Sequence, residues 1–246
     1  MVATFQPPYT RLEAVPDVLR GQGDAVLAPG DVAGLAGVEL AALDGLKPSW
    51  DDLRPDTYLK DGGSYRQRRH ACFVVEGDAM RQVPHRAHWQ PVDYNALHGG
   101  MHRWFEPVAP STIALPAWTA LLTGLGQACA QRMPVPRWYV EAHQFRIDTS
   151  DGIGRPTPEG AHRDGVDFVA VLLVGRTGIK GGETRVFEAN GPAGQRFTLS
   201  EPWSLLLLDD ARMIHETTPI QPAIEGQPGH RDTLVLTYRA AGFQGD

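Results

Sequence analysis

Cysteine is scarce: the 246-residue chain has two, Cys72 and Cys129. Two thiols cannot build a disulfide framework, and neither belongs to a Cys-x-x-Cys pair of the kind that zinc or redox sites use. Both lie in apolar runs and read as buried free thiols. Long hydrophobic stretches are missing as well, since none approaches the roughly 18 apolar residues that a membrane-spanning helix needs. Positive charge is not in excess: 23 Lys and Arg stand against 29 Asp and Glu, a net charge of −6. That balance argues against a nucleic-acid or anionic-membrane surface, which needs a basic excess. The first residues show no basic segment leading into an apolar one, as a secretory signal would. The expectation is a reduced, soluble, cytoplasmic protein whose partner is a small molecule, with no nucleic acid and no membrane. An exposed strand edge or apolar patch would support a homodimer.

What is abundant is glycine (27) and proline (20), together about a fifth of the chain, against a usual share of roughly 12%. Such punctuation favours turns and short strands over a helix bundle. No internal repeat, low-complexity tract or linker interrupts residues 1–246, which are read as one domain. Residues 1–135 look like a mainly helical layer with one early β patch, Ser64 to Val75. One helix is expected from Asp31, with Val32, Leu35, Val38, Ala42 and Leu46 stepping by three or four, Asp31 as N-cap and Gly45 near the stop. Another is expected from Pro116, with Trp118, Leu121, Leu122, Leu125, Ala128 and Cys129 on one face and Pro116 in the first turn. Residues 136–246 read as the β core. Trp138 to Ile147, Phe168 to Val174, Glu183 to Phe187, Trp203 to Leu208 and Thr233 to Tyr238 are short β-like runs bounded by Gly, Pro or Asp. Their spacing suggests a closed sheet or jelly roll.

The informative segment is Gly160-Ala161-His162-Arg163-Asp164-Gly165. His162 and Asp164 are two apart, so on extended backbone both side chains leave on the same face. His215 follows the Leu205–Leu208 strand. Two neutral imidazoles and one carboxylate on one face of a metal leave the other positions open, the donor set of non-haem Fe(II) oxygenases. Arg231 opens the last strong strand and shares a face with Thr233, opposite Leu234, Leu236 and Tyr238; a guanidinium beside a hydroxyl suits a carboxylate. Arg239 has the same parity but sits at the far strand end, where a structural ion pair fits better. His162-Arg163-Asp164 is also the order of a protein-kinase catalytic loop, but Val169 stands where that loop needs asparagine, and no glycine-rich nucleotide loop precedes it.

The order His-x-Asp, Gly181-Gly182-Glu183-Thr184, a distal histidine in Asp210-Ala211-Arg212-Met213-Ile214-His215-Glu216-Thr217-Thr218-Pro219, then Arg231-Asp232-Thr233 resembles the Fe(II)/2-oxoglutarate-dependent dioxygenases. More narrowly, it is similar to the bacterial group that includes free L-isoleucine hydroxylases. Tyr94-Asn95, Gly99-Gly100, Arg103 and His143-Gln144-Phe145-Arg146 fit the same group, so the likeness covers most of the chain after about residue 55. It implies an α+β, mainly β fold, a double-stranded β-helix (jelly-roll) core under a helical N-terminal layer. It implies Fe(II) on His162, Asp164 and His215, and 2-oxoglutarate held by Arg231 with Thr233. The implied reaction uses O₂, converts 2-oxoglutarate to succinate and CO₂, and hydroxylates an unactivated C–H, with a free aliphatic L-amino acid as substrate.

Substrate residues are less defined. Tyr65-Arg66-Gln67-Arg68-Arg69-His70 reads either as a solvated face or as a carboxylate receptor. Alternation puts Arg66 and Arg68 on the face opposite Arg69, so only one set can reach a site. On the Trp138–Ile147 strand, Gln144 and Arg146 share one face and Glu141 and His143 the other; Gln144 and Arg146 are the candidates for the pocket. Asp209 and Asp210 are expected to fix the loop before His215. His70, His85, His88, His98, His102, His143 and His230 read as surface or satisfied core histidines, and Trp89, Trp104, Trp118 and Trp138 as core. Two other functions stay open here. One is a cupin-like metal enzyme that does not use 2-oxoglutarate, although cupins usually supply three or four histidines. The other is a non-catalytic stress or regulatory binding protein.

Overall fold

The computed structural model describes residues 5–95, 97 and 99–245; His98 and the first four residues lie outside the described residues. Helix α1 (Val15–Gln22) leads into strand β1 (Asp24–Leu27), then α2 (Pro29–Ala36) and α3 (Leu40–Asp44). The single helix expected from Asp31 to Leu46 is therefore two. Gly37 adopts a left-handed φ of 66°, and its N–H and that of Val38 fold back onto Gly34 and Ala33 carbonyls, the geometry by which a helix is terminated. Asp31 is not the N-cap. It lies inside the first turn of α2, where its carboxylate accepts the Leu12 N–H at 3.3 Å.

Strands β2 (Arg54–Pro55), β3 (Arg66–Glu76) and β4 (Ala79–Gln82) precede α4 (Pro110–Ile113) and α5 (Pro116–Arg132), the second expected helix. Strands β5 (Trp138–Asp148), β6 (Phe168–Thr177), β7 (Ile179–Gly181), β8 (Thr184–Glu188) and β9 (Gly194–Phe197) follow. Last come β10 (Leu205–Asp209), β11 (Met213–Thr217), β12 (Ile220–Pro222) and β13 (His230–Arg239). Among the described residues, eight strands form the major sheet, in the order β1-β10-β6-β13-β5-β3-β2 with β4 beside β3. Opposite it lie a β11-β8-β9 sheet and a β12-β7 pair. All pairings are antiparallel, the double-stranded β-helix expected from the sequence. The major sheet also takes β1 and β3 from the first 135 residues, so the early β patch is an integral strand, not part of an overlying layer.

Strand alternation divides the major sheet into two environments. On one face, Phe73 and Val75 of β3, Val140 and Ala142 of β5, Leu234, Leu236 and Tyr238 of β13 and Leu172 of β6 pack against the helices. There Trp118, Leu121, Leu122 and Leu125 of α5 are fully buried. Gly124 lets α5 meet α2, because a Cβ at that position would stand 2.5 Å from the Leu35 carbonyl oxygen. The other face looks toward the smaller sheet and is apolar at one end only, where Val169, Leu173, Leu206 and Leu208 meet Val186 and Phe197. Its other end carries Arg66 and Arg68 of β3, Glu141 and His143 of β5, and Arg231, Thr233 and Thr237 of β13 around a cavity. Helix burial and the dry half of the sandwich hold the fold, and the wet half is left for chemistry.

Candidate active site

His162 and His215 reach the cavity from different segments tied together through their backbones. The His162 N–H donates to the His215 carbonyl at 3.0 Å, and the His215 N–H returns the bond at 2.9 Å. His215 is on β11, a strand absent from the sequence expectation, and its ring centroid lies 4.7 Å from that of His162. Asp164, two residues along, turns to the same side. Its Oδ1 is 3.7 Å from His162 Nε2 and its Oδ2 is 3.9 Å from His215 Nε2. One donor atom from each of the three falls within 4.8 Å of the others. His162 Nδ1 is 2.9 Å from the Gly160 carbonyl oxygen. Nδ1 therefore carries a proton, which leaves Nε2 as the nitrogen that would take a metal. Burial and the neighbouring His162 push the His215 pKa down to about 3, so that ring is neutral. Burial pulls the His162 pKa down too, but the Asp164 and Glu159 carboxylates outweigh it and raise the value.

The Asp164 loop is held on three sides. The Asp210 carboxylate accepts the backbone N–H groups of Asp164 at 3.0 Å, Gly165 at 2.8 Å and Val166 at 3.1 Å. Its own pKa rises to about 7 through burial and the nearby Asp164. Gln90 Nε2 donates to Asp164 Oδ1 at 3.0 Å, and Gln244 Nε2 donates to the Asp164 and Gly165 carbonyls at 2.9 and 2.7 Å. The loop that Asp210 fixes is thus the one carrying Asp164, rather than the one before His215. Asp209 does hold the loop before His215, through the Ala211 and Arg212 backbone N–H groups, and also faces Arg132 at 3.3 Å.

Arg231 is 3% exposed, and its Nε and Nη2 find no hydrogen-bond partner among the described residues. Burial and the neighbouring Arg176 lower its pKa to about 10, so the cation sits where an anion would stabilise it. Thr233 lines the same cavity. A second basic group stands two strands away. Arg66 is opposite Ile147 of β5, which is in turn opposite Arg231 of β13. Arg66 Nε donates to Asp56 Oδ2 at 2.8 Å, and the Arg68 guanidinium lies between Phe105 and Phe145, 3.6 and 4.4 Å from their centroids. Arg103 Nη2 donates to Gln90 Oε1 at 2.8 Å, which links this group to Asp164 through Gln90. Arg66 Nη2, Arg68 Nε and Arg103 Nε have no partner among the described residues. Arg69 is on the opposite face, bound to Asp52 and the Pro107 carbonyl.

His70, His88, Glu141 and His143 make another buried cluster of possible metal donors, but its protons are already placed against a metal. Glu141 Oε2 is 2.8 Å from His70 Nε2 and 2.7 Å from His88 Nδ1, so both nitrogens carry hydrogen. Arg68 Nη2 donates to His143 Nδ1 at 2.7 Å, which puts the His143 proton on Nε2, the atom facing Glu141. The cluster is a closed hydrogen-bonded network. His162 Nε2, Asp164 Oδ2 and His215 Nε2 are in no such hydrogen-bonded network among the described residues, and the three side chains fit a divalent metal.

Two expected pocket residues lie elsewhere. Gln144 is fully buried on the helix side of β5, donating to Ser49 Oγ at 2.7 Å. Arg146 shares that face and forms a two-point ion pair with Asp232 at 2.8 Å, plus a contact to Asp51 at 3.2 Å. Strand parity paired these residues correctly but does not tell which face is the cavity. Glu141 and His143 line it instead, with His88. Glu183 bonds Arg185 and helps turn the chain, and Trp104 is 57% exposed rather than core. Gln90, Arg103, Glu159 and Gln244 also line the cavity. Arg103 belongs to the motif likeness, whereas Gln90, Glu159 and Gln244 are isolated loop residues with no periodic signal by which sequence could find them.

A jelly roll with two imidazoles and a carboxylate on one wall and a buried unpartnered arginine on another defines a non-haem iron oxygenase site. The profile of the 2OG-Fe dioxygenase family matches residues 47–237, and the chain belongs to that family. It is an Fe(II)- and 2-oxoglutarate-dependent enzyme, which removes the cupin-like and non-catalytic readings. A bsmA homolog from Methylobium petroleophilum PM1 is 54% identical, with a TM-score of 0.92, over 100% of this chain and 99% of that one. IDO from Bacillus thuringiensis shares the fold at 15% identity and a TM-score of 0.75, over 97% of this chain and 100% of that one. The Fe(II)/(alpha)ketoglutarate-dependent dioxygenase TqaL does so at 20% and 0.73, over 95% and 88%. A search of curated proteins returns no match. Among the described residues, no helix is long and apolar enough to cross a membrane.

Proposed function

We propose that the protein hydroxylates an unactivated C–H of a free aliphatic L-amino acid, with His162, Asp164 and His215 holding Fe(II) and Arg231 with Thr233 holding the far carboxylate of 2-oxoglutarate. One observation carries the substrate class: the cavity contains two separate sets of buried guanidinium N–H groups without partners, Arg231 on β13 and Arg66, Arg68 and Arg103 on the β3 side. One set serves the co-substrate. The other is left for a second anion, and a small carboxylic acid is the simplest occupant of a cavity that also offers Phe145, Val166, Val171 and Val235 as apolar walls. The motif likeness to the free L-amino-acid hydroxylases points the same way.

When bound, Fe(II) and 2-oxoglutarate together supply an oxidant from O₂ strong enough to break an aliphatic C–H, with succinate and CO₂ as by-products. The chain's own residues do the positioning. The backbone bridge directs His162 and His215, and Asp210, Gln90 and Gln244 keep Asp164 aimed at the same point. Arg231 fixes one carboxylate by charge-assisted hydrogen bonds. Arg66 and Arg68 fix the other, which leaves the aliphatic side chain as the part free to reach the metal. The valines exclude water around it. The test is a turnover screen of aliphatic L-amino acids, read as succinate formed and as product heavier by one oxygen. At least one amino acid is expected to raise succinate well above the uncoupled rate with matching hydroxylation. If none does, while another small carboxylate does, the amino-acid assignment is wrong.

A further inference from the structure

The arginine end of the cavity accounts for a carboxylate, and a second charged group in the same cavity remains unexplained. Glu159 lies on the segment that runs along β11. Behind it, Thr157 Oγ1 bonds the Thr217 carbonyl at 3.0 Å and receives the Thr217 N–H at 3.1 Å. Ahead of it, His162 is bridged to His215. With the backbone pinned on both sides, the Glu159 side chain enters the cavity and is 12% exposed. Its Oε1 is 3.6 Å from His162 Nε2, and its Oε2 is buried without a hydrogen-bond partner among the described residues.

That carboxylate is neither a metal donor nor a partner of the arginines. The three donors His162, Asp164 and His215 gather within 4.8 Å of one another, and Glu159 does not join them. Among the described residues, no arginine comes within ion-pair distance of it, although Arg66, Arg68 and Arg103 line the same cavity with unmet N–H groups. The other acids that line the cavity, and the one paired with its arginines, are engaged. Glu141 accepts from His70 and His88, Asp56 from Arg66 and the Tyr58 N–H, and Asp164 from Gln90. Unmet acceptor and unmet donors therefore face one space without meeting across it. A ligand with a positive and a negative end satisfies both, and an α-amino acid carries an ammonium and a carboxylate on one carbon.

We infer that Glu159 anchors the substrate's α-ammonium group and so selects an amino acid over the 2-hydroxy acid of the same skeleton. This rests on the amino-acid reading above. A buried site built to bind one charged donor rejects the analogue that lacks it, because the site's own polar atom is then left unpaired.

The test is calorimetric binding of L-isoleucine and of 2-hydroxy-3-methylpentanoate to the anaerobic protein loaded with Fe(II) and 2-oxoglutarate, in wild type and in Glu159→Gln. The wild type is expected to prefer the amino acid by about tenfold or more. Glu159→Gln should retain one Fe(II) per chain and the wild-type melting temperature. Its affinity for L-isoleucine should drop about ten- to hundredfold, while that for the hydroxy acid stays within about threefold, since an amide oxygen still accepts a hydroxyl. Unchanged L-isoleucine affinity in Glu159→Gln would overturn the role of Glu159 and leave the amino-acid reading intact. A wild type that binds no aliphatic amino acid would overturn both. Loss of Fe(II) from Glu159→Gln would make the residue a support of the metal site, and the ammonium anchor would be wrong.

Discussion

Replacing Arg231 with methionine separates a binding role from a structural one. The side chain is 3% exposed, and two of its three guanidinium nitrogens have no hydrogen-bond partner among the described residues. A buried cation in that state weakens the free protein, and an apolar side chain of similar length removes the desolvation penalty. Arg231→Met should therefore leave the stability of the ligand-free protein unchanged or raise it. Binding should respond in the opposite direction. A charge-assisted hydrogen-bonded pair contributes roughly 1.5–3 kcal/mol, and at about 1.4 kcal/mol per tenfold the 2-oxoglutarate KM should rise about 10- to 150-fold. Urea unfolding of the metal-free protein and 2-oxoglutarate-dependent succinate release measure the two effects. A loss of more than about 1 kcal/mol in stability, beyond the range of a surface change, would make Arg231 a structural cation. An unchanged 2-oxoglutarate KM would move the carboxylate receptor to another arginine.

Four further outcomes are expected. Asp164→Ala should lose Fe(II) and turnover while keeping the wild-type circular dichroism, and full turnover in that variant would dismiss the triad. Arg146→Ala should leave both KM values within about twofold, because its partners are Asp232 and Asp51 outside the cavity, as surface contacts allow; a tenfold rise in the substrate KM would restore it to the pocket. Leu121→Ala, at 0% exposure in the helix-side core, should cost about 2–5 kcal/mol of stability with little change in KM, and a stability loss under 1 kcal/mol would mean that α5 is not packed as described. Stability should also depend on pH. Burial lowers the folded His88 pKa from 6.5 to about 4, and His70 and His143 shift downward too. The unfolded chain then binds more protons between those values, so stability drops as pH falls from about 6.5 toward 4, by about 3 kcal/mol from His88 alone. Glu141, held below its usual range by its histidine partners despite burial, loses its own contribution below about pH 4.5 and adds to the decline. Equal urea midpoints at pH 7.5 and 5 would contradict this.

The sequence carried the parts of the fold that repeat with a period. The continuous apolar run Phe168 to Val174, the strand pattern of Thr233 to Tyr238 and the apolar stripe from Pro116 to Cys129 predict two strands and a helix that the structure contains, each extending somewhat further. Strand alternation put Arg231 with Thr233 and Arg66 with Arg68, and all four line the cavity. It failed where two faces look equally polar. Alternation separates Gln144 and Arg146 from Glu141 and His143, and only the position of the helical layer shows which face is core. It also failed at β11, a short strand whose partner β8 lies 25 or more residues earlier, and at Gly37, where a continuous apolar stripe hides a left-handed helix end. The loop residues Gln90, Arg103, Glu159 and Gln244 have no pattern among themselves, and tertiary approach alone brings them to one place.

The most direct test is an anaerobic titration of the purified protein with Fe(II) and then 2-oxoglutarate, followed by visible absorption. A charge-transfer band that appears only when both are present, and that Asp164→Ala does not give, is the expected result. A protein that binds one metal per chain yet shows no band with 2-oxoglutarate would contradict the assignment of His162, Asp164, His215 and Arg231 to one catalytic centre.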